Sequence, residues 1–95
     1  MKVRWLPRAS NSLRRIRNHI TLENQIAAKR VARLVIESAK RLAEFPESGR
    51  QGRIEETREL IIVGYPCIVV YRLREQDVEI IEVIHTSHQW PAKIN

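Results

Sequence analysis

The sequence predicts an α+β fold: an N-terminal strand, a two-helix antiparallel hairpin, then three consecutive antiparallel strands (β-α-α-β-β-β), with the helices packed on one face of a four-stranded sheet. Two apolar stripes at helical spacing occupy the first half of the chain, and three β-rich runs parted by turn residues occupy the second. A length of 95 residues suffices for one hydrophobic core. No repeat, low-complexity tract or linker marks a second domain, so residues 1–95 read as a single one.

The elements follow in order. Lys2–Leu6 alternates, with Val3 and Trp5 on one side, and ends at Pro7. From Arg8 the period lengthens: Ala9, Leu13, Ile16 and Ile20 share a helical stripe, while Arg14, Arg15 and Arg17 point elsewhere. Residues 21–24 break the pattern, and Asn24 is suited to cap a second helix. Its stripe is Ala28, Val31, Val35, Ser38 and Leu42, and Pro46 stops it by removing a donor and disfavouring helical geometry at Phe45. Residues 47–56 (ESGRQGRIEE) read as the one long connection. Arg58–Val63 is a short strand ended by Gly64-Tyr65-Pro66, a turn tripeptide. Cys67–Leu73 is almost wholly apolar, as a central strand covered on both faces is. After the hairpin residues 74–77, Val78–His85 returns with Ile81, Val83 and His85 on one face and Val78, Ile80, Glu82 and Ile84 on the other. Counting reversals, the first strand runs opposite to both the strand at Arg58 and the last strand. Whichever of them it joins, an antiparallel sheet is expected.

Composition narrows the function. The net charge of +6 is uneven: residues 1–53 carry 13 Lys/Arg against 4 acids, and residues 54–95 carry 4 against 7. A basic helical half suits an acidic partner, whether nucleic acid or protein. The single Cys67 forms no internal disulfide and sits in an apolar run, which fits a reducing compartment. No apolar run approaches a membrane span, and the first residues lack the apolar segment of a signal peptide, so a soluble cytoplasmic protein without membrane attachment is expected.

Chemistry is carried by few residues. The loop Gly49-Arg50-Gln51-Gly52-Arg53 offers bidentate donors on a pliant backbone, but lacks the spacing of a phosphate-binding P-loop; its plainer reading is a flexible solvated loop. His85 and His88, even with Cys67, fall short of the four ligands of structural zinc, so no metal and no cofactor are expected; His19 reads as a surface residue. Metal-free RNA cleavage needs a proton acceptor, a proton donor and cations for the phosphorane. Arg58, Arg72 and Arg74 with His85 and His88 supply those residue types, and Tyr65, Tyr71 or Trp90 could stack on a base. The competing reading has these arginines pairing with Glu59, Glu79 and Glu82 across the sheet.

The run from Arg58-Glu59-Leu60-Ile61 through Gly64-Tyr65-Pro66, Ile68–Leu73 and Ile80–His85 to Gln89-Trp90-Pro91 resembles toxins of the RelE/ParE superfamily. Trp5-Leu6-Pro7-Arg8-Ala9 and Leu42-Ala43-Glu44-Phe45-Pro46 fit the same pattern, so the resemblance covers nearly the whole chain. RelE-like members are described as ribosome-dependent messenger ribonucleases, ParE-like members as inhibitors of DNA gyrase without that active set. The ending Val83-Ile84-His85 to Gln89-Trp90-Pro91 is more similar to the ParE branch. The lysines that several ribonuclease members carry ahead of the second strand are absent, with Arg50 and Arg53 there instead.

The resemblance therefore implies the toxin of a bacterial type II toxin–antitoxin pair. It would inhibit gyrase by protein–protein binding without catalytic residues, and a cognate antitoxin, through which it could also oligomerise, would neutralise it. Arg14, Arg15, Arg17, Arg50, Arg53, Arg74 and Trp90 are the candidate partner-binding residues. The first alternative is a ribonuclease acting on messenger RNA at the ribosome, with Arg58, Arg72, His85 and His88 as catalytic candidates. The second is a non-toxic basic nucleic-acid-binding module.

Overall fold

The computed structural model describes residues 1–86, which run β1 (Lys2–Trp5), α1 (Pro7–Thr21), α2 (Gln25–Lys40), a 3-10 turn (Arg41–Ala43), β2 (Arg50–Gln51), β3 (Arg58–Ile61), β4 (Cys67–Arg74) and β5 (Asp77–His85). The α+β class and the order of strand, helix hairpin and strands are those the sequence predicts. All strands join one sheet in the order β1-β5-β4-β3-β2, five strands instead of the expected four. Nor is the sheet antiparallel throughout, because β1 runs parallel to β5, with Val3 opposite Val78 and Trp5 opposite Ile80. One cause underlies both corrections. Arg50–Gln51, within the supposed connection, is a strand antiparallel to β3, and it adds one reversal to the count. Each later strand is thereby inverted, and the last comes to match the first. Two residues are too few for a period-two pattern to register.

Local chemistry sets the helix ends. Pro7 occupies the first turn of α1, where its missing N–H costs nothing. The Asn24 side chain accepts from the Ala27 amide at 3.0 Å and caps α2 as expected. Both helices lie on one face of the sheet. Ala9 and Leu13 of α1 and Val31, Val35 and Ala39 of α2 pack on Val69, Tyr71, Val78, Ile80 and Val83. The turn after β3 is fixed by Gly64, whose φ of +109° excludes most side chains, and whose added Cβ would stand 3.2 Å from Leu34 Cδ2. Cys67 is buried beneath the helices, and burial pushes its thiol up to about 11, which makes it an inert core residue at neutral pH.

The expected alternation of β5 is broken by a bulge. Val70 faces Glu82, but Tyr71 faces Ile80, leaving Ile81 as an extra residue. A single inserted residue exchanges the two faces, so Val78, Ile80 and Val83 all reach the core. Beside this irregularity the Val83 amide donates to the buried Ser12 Oγ of α1 at 2.9 Å, and that hydroxyl donates to Ala9 O at 2.9 Å. Ser12 thus ties the helix layer to the bulged strand. Ser12→Ala is expected to lower stability by about 1–3 kcal/mol in urea unfolding, the cost of orphaning a buried amide.

Candidate functional site

On the sheet face away from the helices, acidic side chains of β5 meet arginines from three segments. Arg72 Nε donates to Glu79 Oε1 at 2.7 Å, and Arg4 lies 3.4 Å from Glu79 Oε2 and 3.3 Å from Asp77. Arg8 Nε reaches Glu82 at 2.8 Å from the start of α1. The hydrogen bond from Arg72 is the main reason that the Glu79 carboxyl is held below its ordinary range; Arg4 and Arg74 add to it, while burial opposes. A carboxylate depressed in this way stabilises the fold at neutral pH, and that contribution is lost as pH falls through the lowered value. Acid titration of stability should therefore fall less steeply for Glu79→Gln than for the unmodified chain.

Among the described residues Arg58 pairs with no carboxylate. Its Nη1 donates to the carbonyls of Glu47 and Gly49 at 3.2 and 2.9 Å. The buried Tyr71 Oη accepts from the Gly49 amide at 2.9 Å and donates to Pro46 O at 2.8 Å. Gly49 is required there, since a Cβ would come within 2.6 Å of that hydroxyl. Glu59, only 1% exposed, accepts from Arg50 Nε and Nη2 at 3.1 and 2.9 Å and from the Arg53 amide at 3.2 Å. The glycine–arginine loop is exposed but neither a free phosphate clamp nor a loose connection. It is bound to the sheet through Glu59, Arg58 and Tyr71.

The candidates for RNA cleavage are only partly brought together. Arg58, Arg72 and Arg74 line one cleft of about 750 Å³, with Gln51 and Thr57. His85 lies elsewhere. It is paired with Cys67 across the β4–β5 ladder, whereas Arg72 is paired with Glu79. Five residues of β4 separate the two positions, roughly 17 Å at the rise of a strand. His85 instead meets Tyr65 edge-on, with ring centroids 5.5 Å apart at 82°. Tyr71 is buried and unable to stack on a base. His88 and Trp90 lie outside the described residues. Among the described residues no three His, Cys, Asp or Glu side chains gather as a metal site, and no helix is long and apolar enough to cross a membrane.

The cationic helix surface is the other candidate. Arg14, Arg15 and Arg17 of α1 are exposed, Arg14 donating to Asn11 at 3.1 Å. The sequence reading passed over α2, whose Lys29, Arg30, Arg33 and Lys40 are also exposed, with Arg41 just beyond. None of these α2 cations has a carboxylate within salt-bridge distance among the described residues, in contrast to the sheet arginines Arg4, Arg50 and Arg72. A charge count by segment, not by half, would have revealed them.

A family model described as ParE toxin of type II toxin-antitoxin system, parDE, matches residues 3–90. The Y4kP protein of Sinorhizobium fredii is 42% identical over 90 residues, covering 95% of this chain and 93% of its own length. Toxin RelE2 of Caulobacter vibrioides is 34% identical over 86 residues, covering 90% of this chain and 96% of its own. Among solved structures, a chain titled as the chromosomal ParDE TA system from P. aeruginosa has the same fold, with a TM-score of 0.81 and 20% sequence identity, covering 90% of this chain and 95% of that one.

Proposed function

The chain belongs to the ParE toxin family of type II toxin–antitoxin systems, and on that premise we propose that it acts in the cytoplasm by binding and inhibiting DNA gyrase until a cognate antitoxin neutralises it. The observation that carries a binding role over a catalytic one is the engagement of the sheet arginines. Arg72 is held by Glu79 and Arg58 by two loop carbonyls, and no described imidazole shares their cleft. Proton transfer at a ribose hydroxyl needs an acid–base group within hydrogen-bond reach, and His85 is far outside it. The exposed Arg14, Arg15 and Arg17 of α1 and Lys29, Arg30 and Arg33 of α2, which form no ion pair among the described residues, suit an acidic protein partner, and an antitoxin with acidic segments provides one. Arg14, Arg15 and Arg17 belong to this proposed contact surface, whereas Arg74 lines the sheet cleft with Arg58 and Arg72 and Arg50 already serves the fold.

Induced alone in a bacterial host, the chain is expected to arrest growth, and co-expression of the antitoxin to restore it. Growth unaffected by the folded chain would contradict the toxin reading. A second reading, a ribosome-dependent messenger ribonuclease, is favoured by the likeness to toxin RelE2 and by three arginines meeting in one cleft. On that reading, Arg72→Ala in a chain that still folds abolishes both the arrest and the cutting of messenger RNA.

A further inference from the structure

We propose that the free end of the helix hairpin, built around Leu22 and Ile26, is the surface that seizes the target protein, entering an apolar recess edged by carboxylates. This placement rests on the gyrase reading and names the contact surface which that reading leaves open. Leu22 and Ile26 are 83% and 78% exposed, one just past the end of α1 and the other in the first turn of α2. Every residue from Arg17 to Ile26 except Ile20 is exposed, so no described element covers the turn. Neither side chain serves it. The Glu23 and Asn24 amides donate to Ile20 O at 3.0 and 2.8 Å, Thr21 Oγ1 donates to Arg17 O at 2.8 Å, and the Asn24 side chain caps α2. Polar residues would hold both positions without loss to the fold, and a β-branched isoleucine gains nothing there from helix propensity. Two large aliphatic groups kept in water on so well-bonded a turn mark a place for a partner.

The charge around the pair decides what that partner is. Ile26, Lys29, Arg30 and Arg33 fall at i, i+3, i+4 and i+7 on the outward face of α2, opposite the buried Ala28, Val31 and Val35. Arg17 stands one turn before the end of α1. These cations are exposed and form no ion pair among the described residues, and Glu23 is the one acid between Arg17 and Arg33. An aliphatic centre with a charged rim is the anatomy of a protein–protein contact, in which the centre fills a pocket and the rim guides the approach. A nucleic acid duplex would answer the cations but leave Leu22 and Ile26 facing phosphates and water. A bilayer surface would take both, but residues 17–33 hold no Trp, Tyr or Phe, and two aliphatic side chains fall short of the apolar face that holds an interfacial helix. The recess on the target is therefore apolar at its floor and carries Asp or Glu at its rim. Lys29 and Arg30 also suit the antitoxin, which makes the two partners competitors for this end of the hairpin.

The test measures DNA supercoiling by gyrase with increasing amounts of the intact chain, beside Leu22→Asp and Ile26→Asp. Each variant should need about tenfold to a hundredfold more protein for the same inhibition, because a carboxylate would enter an apolar recess already edged by carboxylates. In Ile26→Asp the new charge lies in the first turn of α2, where the helix dipole favours it, so the thermal midpoint should not fall. Ile26→Leu, which keeps the aliphatic bulk, should inhibit as the unmodified chain does. So should Val63→Asp, which places the same charge at an equally exposed apolar position beyond β3. Full inhibition by folded Leu22→Asp and Ile26→Asp, or an equal loss in Val63→Asp, would overturn the placement while leaving the gyrase reading intact. Binding to phosphatidylglycerol vesicles that Ile26→Asp abolishes would assign the surface to lipid instead and overturn it as well. An unmodified chain without effect on gyrase removes the gyrase reading and this placement with it.

Discussion

Arg50→Ala is expected to lower stability by about 3–5 kcal/mol, a large part of the 5–15 kcal/mol that holds a small domain folded. The substitution deletes the guanidinium that forms an ion pair with Glu59, whose side chain is 1% exposed, and so removes two of the hydrogen bonds that the carboxylate accepts. Glu59→Ala should cost less, about 1–3 kcal/mol, because the orphaned Arg50 is half-exposed and can turn to water. Urea unfolding of the two variants checks the asymmetry. Equal, small losses would show that the pair is an ordinary surface bridge. Any loss of partner binding in Arg50→Ala must accordingly be read against this loss of fold.

Reversing two charges on α2, Arg30→Glu with Arg33→Glu, should slow association with the antitoxin by about tenfold to a hundredfold at low salt, with little change in stability. Both side chains are exposed and without an ion pair among the described residues, so their field extends into solvent. Stopped-flow rates measured across salt concentrations check this. The variant and the unmodified chain should converge as salt screens the interaction. A salt-independent difference would place the effect in packing, not steering.

What the sequence disclosed and what it concealed have separate physical origins. Helices and long strands were legible because each carries several turns of a period or several alternations; Ala9, Leu13 and Val35 are core residues as read. β2 was hidden by its length of two residues, and with it the parity of the whole sheet. The bulge at Ile81 was hidden because Ile80 and Ile81 are both apolar, so alternation reads equally well in either phase. Pairing of Arg72 with Glu79 follows from hairpin register and is legible in the sequence, whereas Arg58 bonds to carbonyls, which leave no trace in side-chain patterns. A groove beside β3 draws Leu34, Phe45 and Val63 from three segments, a juxtaposition that only the fold creates.

The most direct measurement adds the purified chain in stoichiometric excess to DNA gyrase and, in parallel, to translating ribosomes. The account predicts blocked supercoiling or trapped cleavage complexes, with messenger RNA left intact. Unimpaired gyrase together with codon-phased cuts in the message would contradict it.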